Sequence, residues 1–478
     1  MYKYQSKQIS VTDFGMPLGM SLDAGNRWVK KAETVPWDAI EEKYASLFES
    51  KTGTVAKPLR LALGALLIQA QYEYSDEEVV LQIQETPCLQ YFCGLPGYVD
   101  EKPFDSSLMV HFRRRLTPQI LGEINEMVIR KAEHREAVPT EEIDEGNEEE
   151  PPKDGPGNSG TLTVDATCAP QDIRYPQDTS LLNEARENLE KMIDEMHKIW
   201  EKKPRTYRQN AHRDYLNFAK SKKKTNKQIR KARGQQLRYI RRDLDIIEKY
   251  LLEGRELPEG LAKRLETIKT LYEQQLSMFE NNTTRVDDRI VSIAQPWIRP
   301  IVRGKAKHKT EFGAKLDISV ENGFTRLEHT SFDAYNESEN LIEIIERFHQ
   351  RNGCYPKRVL ADGIYRTRDN LAWCATKGIR LLGKPLGRPP KTYIIDKKQL
   401  RTDAIDRIEV ERKISHAKGS FGLRKIRTRL ESTSQTAIAL SFLALNIAHA
   451  LQVLLYLIQH LLAILHVPSR HQNLLPVQ

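Results

Sequence analysis

The chain has 478 residues, 39% hydrophobic and 29% charged, with 74 basic against 65 acidic side chains and a net charge of +9. This describes a globular protein of about two to four domains with polar insertions, whose modest basic excess permits nucleic-acid binding without demanding it. Its five cysteines cannot all pair, no CxxC or zinc-finger spacing occurs, and the N-terminus MYKYQSKQIS has no apolar signal core; these features speak against a secreted disulfide scaffold and for a reduced cytoplasmic setting.

Residues 33–135 read as an all-helical domain. Pro58 opens a helix carrying Leu59, Leu61, Leu63, Leu66, Leu67 and Ile68. Ser75-Asp76-Glu77-Glu78 is a capping sequence ahead of Val79, Val80, Leu81 and Ile83. Asp105 is placed to cap Ser106–Leu116, whose Arg113, Arg114 and Arg115 suit either phosphate contact or a solvated face. Helices on short turns fit a helix-turn-helix-like DNA module, and equally a plain small bundle. Residues 136–160 are acidic and rich in proline and glycine, too polar to bury a core, and read as a disordered linker.

Thr161–Thr167 alternates Leu162, Val164 and Ala166 as a strand does, with Asp165 near its end. A long helical insertion is expected at 180–295. Its first helix draws an apolar face from Leu181, Leu182, Leu189, Ile193, Met196 and Trp200, and a later one from Ile240, Ile246, Ile247, Tyr250 and Leu251. Lys222, Lys223, Lys224, Arg230 and Lys231 belong to its dense basic stretch, and Tyr207, Tyr215 and Phe218 lie in the same stretch. A solvated helical hairpin accounts for the charge; the surplus of base among aromatics favours a nucleic-acid surface.

Ala314–Val320 and Phe324–Thr330 form a hairpin through Asn322-Gly323. An amphipathic helix at Ser338–Gln350, a strand at Arg358–Asp362, a helix at Arg368–Lys377 and a strand at Gly378–Gly383 follow, giving an α/β domain with a mixed sheet. From Ala437 to Val467 the chain is apolar enough to span a bilayer. Asn446, His449, Gln452, Gln459 and His460 interrupt that run, so a buried terminal helix or helix pair is expected in place of a membrane span.

Arg407, Glu411 and Lys418 share one helix face, whereas Glu409 lies roughly 200° from Glu411. A single aspartate at a strand end commonly caps a helix or a turn. Asp165 and Asp362 become informative together, because strand ends in open sheets are where ligands bind, and Glu411 follows between two bases. Phosphodiester cleavage needs an activated water and neutralised oxygens, which two magnesium ions roughly 3.5–4 Å apart supply. Carboxylate oxygens suit magnesium, and no histidine–thiolate cluster points to zinc.

Cys88–Leu95, Phe104–Leu116, Val164–Thr167, Ile173–Asp178, Leu360–Tyr365 and, most specifically, Arg407–Leu430 with its Arg-x3-Glu-x6-Lys spacing carry a resemblance. The chain resembles bacterial insertion-sequence transposases of the DDE type in the IS4/IS5 superfamily, IS5-like and with a DUF772-type N-terminal domain. The resemblance implies an RNase H-like catalytic domain over 161–465, interrupted by the basic insertion. It also implies Asp165, Asp362 and Glu411 as catalytic metal ligands, with Arg407 and Lys418 positioning DNA phosphates. Further implications are two Mg2+ ions, for which Mn2+ can substitute, double-stranded DNA as partner (terminal inverted repeats and target), a homodimer or higher oligomer on that DNA, and a place at the bacterial nucleoid. The activity implied is cleavage and strand transfer; a nuclease that cuts without joining and a DNA-binding protein without catalysis are the alternatives. Two departures stand out. Ala404 occupies the position, three before the arginine, where relatives often carry tyrosine, and the insertion is long.

Overall fold

The computed structural model describes residues 2–4, 9–48, 55–136, 157–302, 310–383 and 397–464; most of the expected acidic linker, residues 137–156, lies outside them. Helices begin earlier than residue 33. α1 (Arg27–Thr34) is capped by Asn26 and followed by α2 (Trp37–Ala45), α3 (Leu59–Tyr72), α4 (Asp76–Glu85), α5 (Pro87–Phe92), α6 (Leu108–Arg115) and α7 (Pro118–Glu136). Ser75 caps α4 by accepting from the Glu78 amide at 3.1 Å, the bond its sequence predicts. Asp105 instead accepts from the Ser107 amide, so α6 starts at Leu108.

The sheet begins with β1 (Thr161–Pro170). The insertion supplies α8 (Asp178–Met196), α9 (Arg208–Lys220), α10 (Asn226–Leu252) and α11 (Glu259–Glu280). These helices enclose a core of their own, built on Leu182, Leu189, Ile240, Ile268 and Leu271. Two residues expected on its apolar faces are exposed: Trp200, which lies past the end of α8, and Leu251.

The remaining elements are β2 (Arg299–Val302), β3 (Thr310–Glu321), β4 (Phe324–Ser331), α12 (Leu341–Asn352), β5 (Arg358–Leu360), α13 (Arg368–Thr376), β6 (Arg380–Leu381), α14 (Lys397–Ser420) and α15 (Glu431–Ile464). The strand order is β2-β3-β1-β5-β6, with β4 also pairing β3. β3 runs antiparallel to β1, β2 and β4, whereas β1, β5 and β6 are parallel, so the sheet is mixed. Asn322 and Gly323 both have positive φ, 49° and 76°, the requirement of a tight two-residue hairpin turn. β2 has no clear sequence signal: four residues with a proline give no alternation to read.

One sheet face packs Leu162, Val164, Val359 and Ala361 against α12 and α13. The other packs Ile318 and Val320 against α14 and α15, and that core continues into the N-terminal helices. α15 makes the continuity possible, since it touches α1, α3, α6, α7 and β4. It is a single 34-residue helix, long and apolar enough to cross a membrane by length and composition, yet 67% of its most apolar window is buried inside the protein. Asn446, fully buried on it, accepts from the Thr325 amide at 2.9 Å and donates to the Thr325 carbonyl and to Asn125. The polar residue that interrupts the apolar run therefore ties the helix to β4 and α7. An all-helical unit thus precedes an RNase H-like core with a mixed sheet and a helical insertion.

Candidate active site

The pairing of β1 with β5 sets the site. Thr163 lies beside Leu360 in parallel register, and two residues further along each chain come Asp165 and Asp362. Side chains alternate along a strand. Leu162 and Val164 belong to the α12 face, and Asp165, opposite Ile318 on β3, belongs to the α14 face. Asp165 is interior to its strand and not near its end as the sequence pattern suggested, because β1 continues through Cys168 and Ala169 against β3. Half-exposed, it accepts from the Ala166 amide at 2.8 Å. Asp362 lies just past β5, exposed, and accepts from the Gly363 amide at 2.6 Å as the cap of a 3-10 turn.

α14 lies across β1, β3 and β5 on this face. Its inward stripe is Asp403, Val410 and Ala417, spaced by sevens and each fully buried. Arg407, Glu411 and Lys418 occupy one flank of that stripe, within roughly 40° of one another around the helix. Glu409 is on the opposite flank, where it faces Lys413. Arg407 donates to Glu411 at 2.9 Å, and the Glu411 side chain is 51% exposed. Ala404 is exposed. Among the described residues, no three acidic, histidine or cysteine side chains lie close enough together to hold a metal ion. Asp165 and Asp362 share a face and a level, whereas Glu411 is turned to Arg407. The donor set is carboxylate oxygen alone, which suits magnesium.

Two features around these residues carry weak sequence signals. Asp403 accepts from Arg358 Nη1 at 2.9 Å, from both terminal nitrogens of Arg380 and from Gln399 at 3.0 Å; Arg358 also pairs with Asp406 at 2.7 Å. Burial alone raises the Asp403 carboxyl, but the hydrogen bonds from Arg380, Gln399 and Arg358 outweigh it and leave it below its ordinary value. This network bolts the first turns of α14 to β5 and β6. The only hint in the sequence is an arginine opening each short strand and an acid seven residues before Val410. Beneath Asp362, on the α12 side, lies Tyr365, fully buried, its hydroxyl without a hydrogen-bond partner among the described residues. Burial, then the charges of Asp317 and Asp165, push its phenol well above the ordinary range. Asp317 accepts from Asn340 at 2.6 Å and is itself fully buried.

The basic residues singled out in sequence divide by exposure. Arg113, Arg114 and Arg115 do not form one outward row. Arg113 is buried, paired with Asp76 and bonded to Gln69 at 3.1 Å; Arg115 stacks over Phe48 and donates to Tyr44; Arg114 is exposed. Arg113 therefore spends its charge inside the helical unit, a correction that follows from its place on the inner face of α6. Lys222, Lys223 and Lys224 are exposed in the turn between α9 and α10, and Lys231 is exposed on α10. Arg230, also on the surface, donates to the Phe279 carbonyl at 2.9 Å and stacks on that ring, tying α10 to α11.

A helical unit thus precedes an RNase H-like sheet with an acid-bearing helix laid across it, and the family matches fall on both parts. Residues 17–115 match the family described as Transposase domain (DUF772), and residues 359–448 match Transposase DDE domain. Together the two matched domains support an IS4/IS5-like DDE transposase identity. It is also similar to an uncharacterized protein, ORF8 in the nfe locus of Rhizobium meliloti, with 29% identity over 161 residues, 34% of this chain and 70% of that protein. No solved structure matches. The second matched range contains Asp362, Arg407, Glu411 and Lys418. Asp165 and the basic insertion fall outside both ranges; what links Asp165 to Asp362 is the register of β1 with β5.

Proposed function

We propose that the chain cuts DNA at the ends of an insertion element and joins the freed 3′-hydroxyl to target DNA, with Asp165, Asp362 and Glu411 as metal ligands. The observation carrying this reading is the parallel register of β1 and β5, which, continued two residues past Thr163 and Leu360, brings Asp165 and Asp362 to one level of the sheet that α14 crosses. Two Mg2+ ions, or Mn2+ in their place, supply an activated water and neutralise phosphate charge when bound. The three carboxylates hold that charge, and Glu411 joins the aspartates by leaving its ion pair with Arg407. Arg407, released, and Lys418 then point two cationic side chains from the same helix flank toward a phosphate, where charge-assisted hydrogen bonds orient the scissile group. Asp403 and its arginines hold α14 in register with the aspartates while Glu411 changes partner.

In this reading residues 33–135 and the insertion at 180–295 grip double-stranded DNA through Arg114, Lys222, Lys223, Lys224 and Lys231, and residues 161–465 form the catalytic domain. Two element ends must be held at once, which calls for a homodimer or higher assembly on DNA in the bacterial cytoplasm. A nuclease that cuts without joining shares every residue named, so products decide between them. On duplex bearing the element's ends with Mg2+, joined strands support the proposal; cut ends alone replace it with the nuclease.

A further inference from the structure

The segment that follows α14 serves neither the carboxylates nor the regions expected from sequence to grip DNA. Leu423 and Arg424 close the turn after α14, and Lys425–Arg429 then runs without helix or turn, tied to the continuation of β1. Ile426 donates to the Pro170 carbonyl and accepts from the Asp172 amide, both at 2.8 Å, and the Gln171 side chain donates to the Thr428 carbonyl. Leu423 and Ile426 point inward and are buried, while Arg424, Lys425, Arg427 and Arg429 are exposed. Four cations therefore project from a backbone that cannot swing away.

Only part of that charge is spent. Lys425 pairs with Asp172 at 2.7 Å, and Arg427 donates to the carbonyl and the carboxylate of Glu73 on the N-terminal unit. Arg424 and Arg429 form no ion pair or hydrogen bond with another described residue. Arg429 stands between two clefts. One, of about 500 Å³, separates the segment from α3 and α4; the other, of about 240 Å³, brings it beside Arg174 and the exposed Tyr175. The row joins the N-terminal helices to the root of the insertion. Along β1 it begins six residues beyond Asp165, roughly 20 Å at strand rise.

We infer that Arg424, Lys425, Arg427 and Arg429 form a fixed phosphate-tracking strip, along which the backbone of a DNA duplex runs between the N-terminal helices and the carboxylate face. The five residues Lys425–Arg429 span roughly 17 Å at strand rise, with Arg424 ahead of them in the turn, a length that covers several successive phosphates on one strand. A pinned strip orders few side chains on binding and so positions the duplex, without reading its bases. The strip rests on the reading of the chain as a DNA-processing protein but not on its cutting chemistry.

The test is the salt dependence of binding by the full chain to a fluorescein-labelled duplex, in EDTA so that no cutting intervenes. Each lost phosphate contact lowers the log–log salt slope by about 0.9, so Arg424→Ala/Arg429→Ala is expected to lower it by about 2, and Arg424→Lys/Arg429→Lys to restore most of it. Both arginines are exposed, so an unchanged thermal melt is expected in each variant. A double-alanine variant with the wild-type slope overturns the strip and leaves the cutting reading standing. A slope that depends on the strip, in a chain that never cuts with Mg2+, supports the strip and overturns the cutting reading.

Discussion

Replacing Asp403 probes how the sheet governs the signature helix from a distance. Asp403 is fully buried and accepts from two arginines and Gln399. Removing one partner of a buried ion pair costs about 3–5 kcal/mol. Here Arg358 keeps Asp406, and the Arg380 side chain is 44% exposed and rehydrates, so Asp403→Ala is expected to cost less than that range, about 2–3 kcal/mol. Asp403→Asn, which retains one acceptor, is expected to cost less. The loss is local to α14, so the assay is amide hydrogen exchange by mass spectrometry on peptides covering 397–410. Opening should become roughly 30- to 150-fold more frequent, at 1.4 kcal/mol per tenfold. Glu411 lies eight residues on, about 12 Å along the axis, so cutting should fall while binding of duplex persists. The pH dependence has a definite sign. A carboxyl held below its ordinary value stabilises the fold above its unfolded pKa of about 3.9, and that contribution disappears as the pH falls through the lower folded value. Wild type and Asp403→Asn should therefore converge in strongly acidic solution. Unchanged protection of α14 at neutral pH in Asp403→Ala refutes the anchoring argument.

Other expectations follow from the same geometry. Asp165→Asn, Asp362→Asn and Glu411→Gln each abolish cutting while gel-shift binding survives; full activity in any one removes that residue from the metal set. Asn446→Ala removes the side-chain acceptor of the buried Thr325 amide and the donor to Asn125, while the Thr325 carbonyl keeps Asn125; at about 1–3 kcal/mol for each orphaned group a clear drop in thermal stability is expected. Asp243, buried in the insertion beside Arg186 and Glu190, is pushed up to about 8, first by desolvation and then by Glu190. A raised carboxyl favours the fold at low pH and loses that advantage as pH rises toward 8, so Asp243→Asn should melt above wild type at pH 8 and match it near pH 4. Tyr365→Phe removes a buried hydroxyl that has no partner among the described residues, so its melt should not fall below wild type; a marked loss of stability shows that the hydroxyl has a partner.

What the sequence made legible was periodic or punctuated. The Asn322-Gly323 hairpin, the Ser75 cap, the amphipathic α12 and the strand leading to Asp362 all rest on local signals; the first two stand where their patterns put them, α12 starts three residues later than Ser338, and β5 ends at Leu360, two residues before Asp362. The shared flank of Arg407, Glu411 and Lys418 follows from helix geometry alone. Other features depend on partners distant in the chain. β2 is defined by its pairing with β3, not by its own four residues. Arg113 looks like its exposed neighbour Arg114 until Asp76, 37 residues away, is brought beside it. The apolar run of α15 reads as a membrane candidate because hydropathy records length and composition, whereas its burial depends on helices at the opposite end of the chain. The Asp403 network escaped notice because an acid on an exposed-looking helix gains its meaning from arginines opening two separate strands.

The claim at the centre of this account is that Glu411 completes a metal-dependent cutting site with Asp165 and Asp362. The direct measurement is product analysis on end-bearing duplex with Mg2+, comparing wild type with Glu411→Gln at equal DNA occupancy. The account predicts cut ends and joined strands from wild type and neither from the variant. Equal product yields from the two proteins contradict it.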